Sequence, residues 1–128
     1  MRIMIVDDDA DDCELLLCLL QKIDTGLECA VIESAEAALT WLQAGNLPDV
    51  VFLDGRLPGI GSELLLTLLV EARLSTRIIM YSGFSGSEIK DRFIDLGANH
   101  FIEKSSDLND VRRQIEEIMF THHDDSVK

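Results

Sequence analysis

The chain opens Met1-Arg2-Ile3-Met4-Ile5-Val6-Asp7-Asp8-Asp9-Ala10-Asp11-Asp12, an apolar run that gives way at once to five aspartates in six positions. A short run of apolar residues without alternation reads as a strand covered on both faces. The aspartates behind it admit two readings. Carboxylates cap free N–H groups at a helix start and favour the positive end of the helix dipole. Alternatively, a strand end that gathers oxygen ligands suits a hard cation. The choice depends on what the rest of the chain brings to the same place.

The strand-like run recurs. Arg2–Val6, Glu28–Ile32, Val50–Leu53, 77–81 and 100–102 are short and apolar, and amphipathic segments separate them. Ser34 is placed to cap a helix over 35–44 with Gly45 after it. Ser85-x-x-Glu88 forms a capping box before a segment that ends at Gly97. The last helix, 107–119, sets Leu108, Val111, Ile115 and Ile118 on one stripe. Trp41 and Leu64-Leu65-Leu66 read as core or helix face. Strand–helix alternation with right-handed crossovers predicts an α/β fold, a doubly wound parallel sheet with helices on both faces. One domain over 1–120 is expected, followed by a polar tail over 121–128.

Composition narrows the class. With 128 residues and 47% hydrophobic content, the chain is long enough for a core without disulfides or a structural metal. No apolar stretch nears the roughly 20 residues that span a bilayer, and the acidic N-terminus is unlike a secretory signal. A cytoplasmic protein without membrane insertion is expected. Cys13, Cys18 and Cys29 lack C-x-x-C spacing and are expected to be buried small hydrophobes. A net charge of -13 argues against direct nucleic-acid binding and for cations or basic protein surfaces as partners.

In open α/β sheets, ligands bind at the carboxyl ends of the strands. Here the first strand ends in Asp7-Asp8, the third in Asp54, the fourth in Ser82 and the fifth in Lys104; the second ends in Glu33-Ser34, as an edge strand would. Three carboxylates, a hydroxyl and an ammonium would share one rim. A phosphate-binding domain would carry glycine-rich N–H groups after its first strand, where this chain has acids. Magnesium reverses that logic, because it takes carboxylates and bridges to phosphoryl oxygens. An aspartate can also attack phosphorus if cations neutralise the developing charge. Asp9, Asp11 and Asp12 read as cap and solvated helix start.

In this order and at these strand ends, Asp7-Asp8, Asp54, Leu57-Pro58-Gly59, Ser82-Gly83 and Phe101 with Lys104 resemble the response-regulator receiver domain of two-component signalling. The resemblance runs from Met1 to about Met119. It implies the flavodoxin-like, CheY-like form of the fold: five parallel strands in order 2-1-3-4-5 with five helices. It implies phosphoryl transfer to Asp54 from a sensor histidine kinase or a histidine phosphotransfer protein. Mg2+ (or Mn2+) would be held by Asp7, Asp8, Asp54 and the main-chain carbonyl of Arg56. Ser82, Lys104 and the main chain of Gly83 would bind the phosphoryl oxygens. Ser82 and Phe101 would form the switch that remodels a surface for a downstream protein target. Such a domain acts as a signalling switch and not as a turnover enzyme; with nothing recognisable after the last helix, a stand-alone regulator or phosphorelay intermediate is expected.

The chain departs from the family pattern at three places. Ser105 follows the lysine where a proline is usual, which predicts a looser Lys104. The stretch after Pro58 is one residue shorter than the common form. Arg56 adds a cation beside the acceptor, where it is expected to alter access of water to the phosphoryl group. Two other readings remain: a receiver-like module that binds its partner without phosphorylation, and a phosphatase-like hydrolase using the Asp7-x-Asp9 spacing. The latter lacks the small residues and hydroxyl that normally follow.

Overall fold

In the computed structural model, which describes residues 1–57, 61–72, 75–83 and 86–121, the opening apolar run forms strand β1 (Arg2–Val6). It is followed by α1 (Ala10–Ile23), β2 (Glu28–Ile32), α2 (Ala35–Gln43), β3 (Val50–Leu53), α3 (Gly61–Glu71), β4 (Arg77–Ser82), α4 (Ser87–Leu96), β5 (His100–Glu103) and α5 (Leu108–Glu116). All neighbouring strands are parallel, in the order β2-β1-β3-β4-β5. This is the doubly wound, five-helix arrangement expected. Pro58, Gly59, Ser85 and the tail over 122–128 lie outside the described residues.

Alternation along the strands sorts the core into two layers. Met4, Val6, Val51, Leu53, Ile78 and Met80 pack against Ala35, Ala38, Leu65, Leu66, Leu69 and Phe93 of α2, α3 and α4. Ile3, Ile5, Val50, Phe52, Ile79, Tyr81 and Ile102 pack on the other side against Leu16, Leu19, Leu20, Val111 and Ile115 of α1 and α5. The central strands β1 and β3 are therefore buried on both faces, while Val31 on the edge strand β2 is exposed.

Local chemistry fixes the element ends. Asp9 caps α1 by accepting from the Asp11 and Asp12 N–H groups, and Ser34 caps α2 by accepting from Ala37 N–H. Gly97 closes α4 in the left-handed region (φ 118°) and lies so close to Val70 of α3 that no side chain fits there.

Three expectations need correction. The N-cap of α4 is Gly86, without a side-chain hydrogen bond, so the capping box centred on Ser85 does not start this helix. The last helix does not run on to 119 but passes at Glu117 into a π-type turn, Glu117–Thr121, which adds Met119 to the buried residues; Leu108, Val111, Ile115 and Ile118 all pack on the same layer, as the stripe predicts. Cys13 is buried and Cys29 half-buried, but Cys18 is exposed on the outer side of α1. As the reading of core or helix face expects, Leu65 and Leu66 of α3 are buried and Leu64 lies on the exposed helix face.

Candidate functional site

Strand register builds the site. Val6 pairs with Leu53 and Leu53 with Met80, so β1 and β3 stop side by side and release Asp7 and Asp54 next to each other. Backbone bonds hold these exits, with Asp7 N–H donating to Ile32 O at 3.0 Å and Asp54 N–H to Val6 O at 2.9 Å. Lys104 leaves β5 in the same way, its N–H donating to Ser82 O at 2.8 Å. Residues scattered along the sequence thus meet because a parallel sheet aligns the ends of its strands.

Asp7 and Asp54 are 3% and 6% exposed, while Asp8 faces solvent. One oxygen from each of the three carboxylates lies within 4.8 Å of the others. The Lys104 ammonium donates to Asp7 Oδ2 and to Asp12 Oδ2, both at 2.8 Å, and stands 3.7 Å from Asp54 Oδ1. It also lies 5.5 Å from the centre of the Tyr81 ring. Asp8, Asp9, Asp12, Asp54, Arg56, Gly83 and Lys104 line an open cleft of about 280 Å³ over this cluster.

The electrostatics follow from burial and company. Burial, then the Asp7 carboxylate, push the Asp54 acid up to about 6; Lys104 and the Arg56 N–H oppose this. Burial works against the Lys104 ammonium, but hydrogen bonds to Asp12 and Asp7 outweigh it and hold its pKa above the usual lysine value. Cys13, whose thiol donates to Asp7 O at 3.4 Å, is raised to about 11 by burial and by Asp7. It is a packed thiol and not a nucleophile.

The turn after Asp54 is stapled from α3. Ser62 Oγ donates to Asp54 O at 2.5 Å and accepts from Leu57 N–H at 3.0 Å, and its side chain is buried. Ser82 is fully buried beside Gly55, where an added Cβ would come within 2.9 Å of Ser82 Oγ and 3.1 Å of the Phe93 ring. Phe93 stacks on Phe101 with ring centres 6.4 Å apart. Phe101 lines a separate, wider cleft of about 620 Å³, together with Lys90, Lys104, Asp110 and Gln114. Beyond Lys104 the chain turns on Ser105, whose hydroxyl accepts from Asp107 N–H at 3.0 Å, and Asp107 caps α5. Lys104 itself is held by the carboxylates of Asp7 and Asp12.

The structure thus brings Asp8, Asp54, Arg56, Gly83 and Lys104 to one cleft with Asp7 against Asp8 and Asp54, places Ser82 beside the turn at Gly55 and sets Phe101 at the opening next to it. Sequence reading missed Asp12, Ser62 and Phe93 as parts of the site.

Fold and site define a doubly wound α/β module with an acidic, lysine-bridged rim at its strand ends. The family model for the response regulator receiver domain matches residues 3–116, and the chain belongs to that family, the receiver domains of two-component response regulators. Protein-glutamate methylesterase/protein-glutamine glutaminase 2 of Burkholderia thailandensis is 32% identical over 126 residues, covering 93% of this chain and 35% of its own. The transcriptional regulatory protein DltR of Streptococcus agalactiae is 30% identical over 115 residues, covering 90% of this chain and 50% of its own. The chain therefore spans about a third to a half of the length of these relatives. Among solved structures, the response regulator TrrA of Thermotoga maritima, in complex with Mg2+-BeF, superposes with a TM-score of 0.76 at 26% identity over 92% of this chain and 98% of that one. A CheY-like receiver domain from Methanospirillum hungatei, at 23% identity, shares the fold with a TM-score of 0.80 over 97% of each chain. No helix among the described residues is long and apolar enough to cross a membrane.

Proposed function

We propose that Asp54 is the phosphoacceptor of this receiver domain. The observation that carries the reading is the meeting of Asp7, Asp8 and Asp54 within 4.8 Å, with the Lys104 ammonium 3.7 Å from Asp54. An Asp54 oxygen attacks the phosphorus of a phosphohistidine on a sensor histidine kinase or histidine phosphotransfer protein. The new O–P bond forms as the N–P bond breaks, and the electron pair returns to the imidazole. Lys104, the Ser82 hydroxyl and the Gly83 N–H take the phosphoryl oxygens.

The donor set is all oxygen, anionic and partly buried, which fits a hard divalent cation. Asp7, Asp8, Asp54 and the Arg56 carbonyl would hold Mg2+ or Mn2+, which supplies neutralising charge to the phosphoryl group when bound. The acids repel one another in its absence, so the cation would stabilise the fold. Ser82 and Phe101 serve as the switch pair: the hydroxyl responds to the phosphoryl group and the aromatic ring changes the surface offered to a downstream protein. Arg56, on the wall of the same cleft, governs access of water to the phosphoryl group; an unchanged dephosphorylation rate in Arg56→Ala would refute that role. The domain acts as a cytoplasmic switch and not as a turnover enzyme.

The direct test is intact mass after incubation with magnesium and acetyl phosphate. A labile phosphoryl adduct is expected on wild type and not on Asp54→Asn. An adduct on both proteins would move the acceptor elsewhere, and none on either would favour a module that binds its partner without phosphorylation. A thermal melt unmoved by millimolar magnesium would count against the cation site.

A further inference from the structure

We infer that Asp12 is a positioning residue for Lys104, holding the ammonium on the α1 side of the cleft and so opposing its engagement with a phosphoryl group on Asp54. This inference rests on the reading of Asp54 as acceptor.

The geometry is specific. An ammonium has three N–H donors, and Lys104 directs short bonds at Asp7 Oδ2 and Asp12 Oδ2, with Asp54 left at 3.7 Å. Asp12 comes from the first turn of α1 and Lys104 from the end of β5, 92 positions away, so the contact is made by the fold and not by local chain geometry. The lysine side chain is 16% exposed and that of Asp12 33%, so solvent weakens this pair without abolishing it.

The two carboxylates holding Lys104 are not equivalent. Asp7 belongs to the trio of converging oxygens, and Asp12 does not. A cation taken up by the trio shares the charge of Asp7 and loosens its hold on the ammonium, whereas Asp12 keeps its full charge. Asp12 is then the anion that draws the ammonium toward α1 and away from a phosphoryl oxygen on Asp54. A group that acts through the lysine thereby sets how firmly the phosphorylated state is held. The rest of the α1 start does not duplicate it, since Asp9 is spent on capping the Asp11 and Asp12 N–H groups.

The test uses beryllofluoride, formed from beryllium chloride and fluoride, as a non-covalent phosphoryl mimic at saturating magnesium. Its affinity is titrated through the amide resonances of Ser82 and Gly83. Asp12→Asn is expected to bind roughly three- to tenfold more tightly than wild type, the scale of one partly exposed charged pair. Asp12→Glu, which keeps the charge, should return to near the wild-type value. In a Lys104→Met background, Asp12→Asn should have no effect, because the residue acts through the lysine. Unchanged or weaker binding by Asp12→Asn, or the same gain without Lys104, overturns the inference while leaving Asp54 as acceptor. Absence of magnesium-dependent binding by wild type fails the acceptor reading, and this inference falls with it.

Discussion

Two ion pairs in this molecule have nearly the same length and very different surroundings. Lys104 meets Asp7 at 2.8 Å with side chains 16% and 4% exposed, at the ends of β5 and β1. Arg92 of α4 meets Glu63 of α3 at 2.6 Å through a two-bond fork, with side chains 63% and 47% exposed. Distance alone would rank the second pair higher. Burial reverses the ranking, because water screens the outer pair and replaces either partner cheaply, whereas the inner carboxylates are too buried for water to replace the ammonium. A short contact therefore marks a functional site only where removing one partner would leave a charge without solvent.

The comparison breaks if the two pairs respond alike to mutation. The largest effect is expected for Lys104→Ala, which leaves Asp7 and Asp54 facing each other. It should cost about 3 kcal/mol in urea unfolding at pH 8 without metal, and less at pH 5, where Asp54 takes up a proton. Next comes Asp54→Asn. Because burial and Asp7 raise this acid to about 6, the native state holds a proton that the unfolded chain has already lost, and stability falls as pH rises from about 4 to about 6. Asp54→Asn should therefore be more stable than wild type by about 2 kcal/mol at pH 7 in metal-free buffer, with the gain vanishing near pH 4. Ser62→Ala is an uncharged case between the extremes. It leaves the Leu57 N–H without its acceptor and should cost about 1–2 kcal/mol, whatever the pH. The smallest effect is expected for Arg92→Ala, whose melting midpoint should match wild type; a loss as large as that of Ser62→Ala would undo the contrast.

Much of this arrangement was legible in the chain because the period of the pattern carries it. The continuous runs Arg2–Val6 and Val50–Leu53 announce strands buried on both faces, and a parallel sheet must bring Asp7, Asp54, Ser82 and Lys104 to one rim. What escaped depends on rotation and depth, which spacing does not encode. Asp12 reads as a solvated helix start, and only the orientation of α1 against β5 turns it onto Lys104. Ser62 looks like any small residue after a loop until its hydroxyl is seen between Asp54 O and Leu57 N. Met119 joins Ile115 and Ile118 on the core layer because one π-type turn alters the helical period. The start of α4 was misplaced because Gly86 caps it through backbone conformation, without a side chain to advertise it.

The bareness of Gly55 has a consequence for how sequences like this one vary. The space that a side chain at position 55 would fill is taken by the Phe93 ring and the Ser82 hydroxyl. A side chain at position 55, in the turn after β3, therefore needs room made at position 82 or 93. Gly55→Ala should turn the Ser82 hydroxyl out of place and shorten the life of the acyl phosphate. Adding Phe93→Leu should restore part of it, and if the double variant is no better than the single one, the three positions are independent after all. Covariation among these three positions would then carry the imprint of a missing side chain.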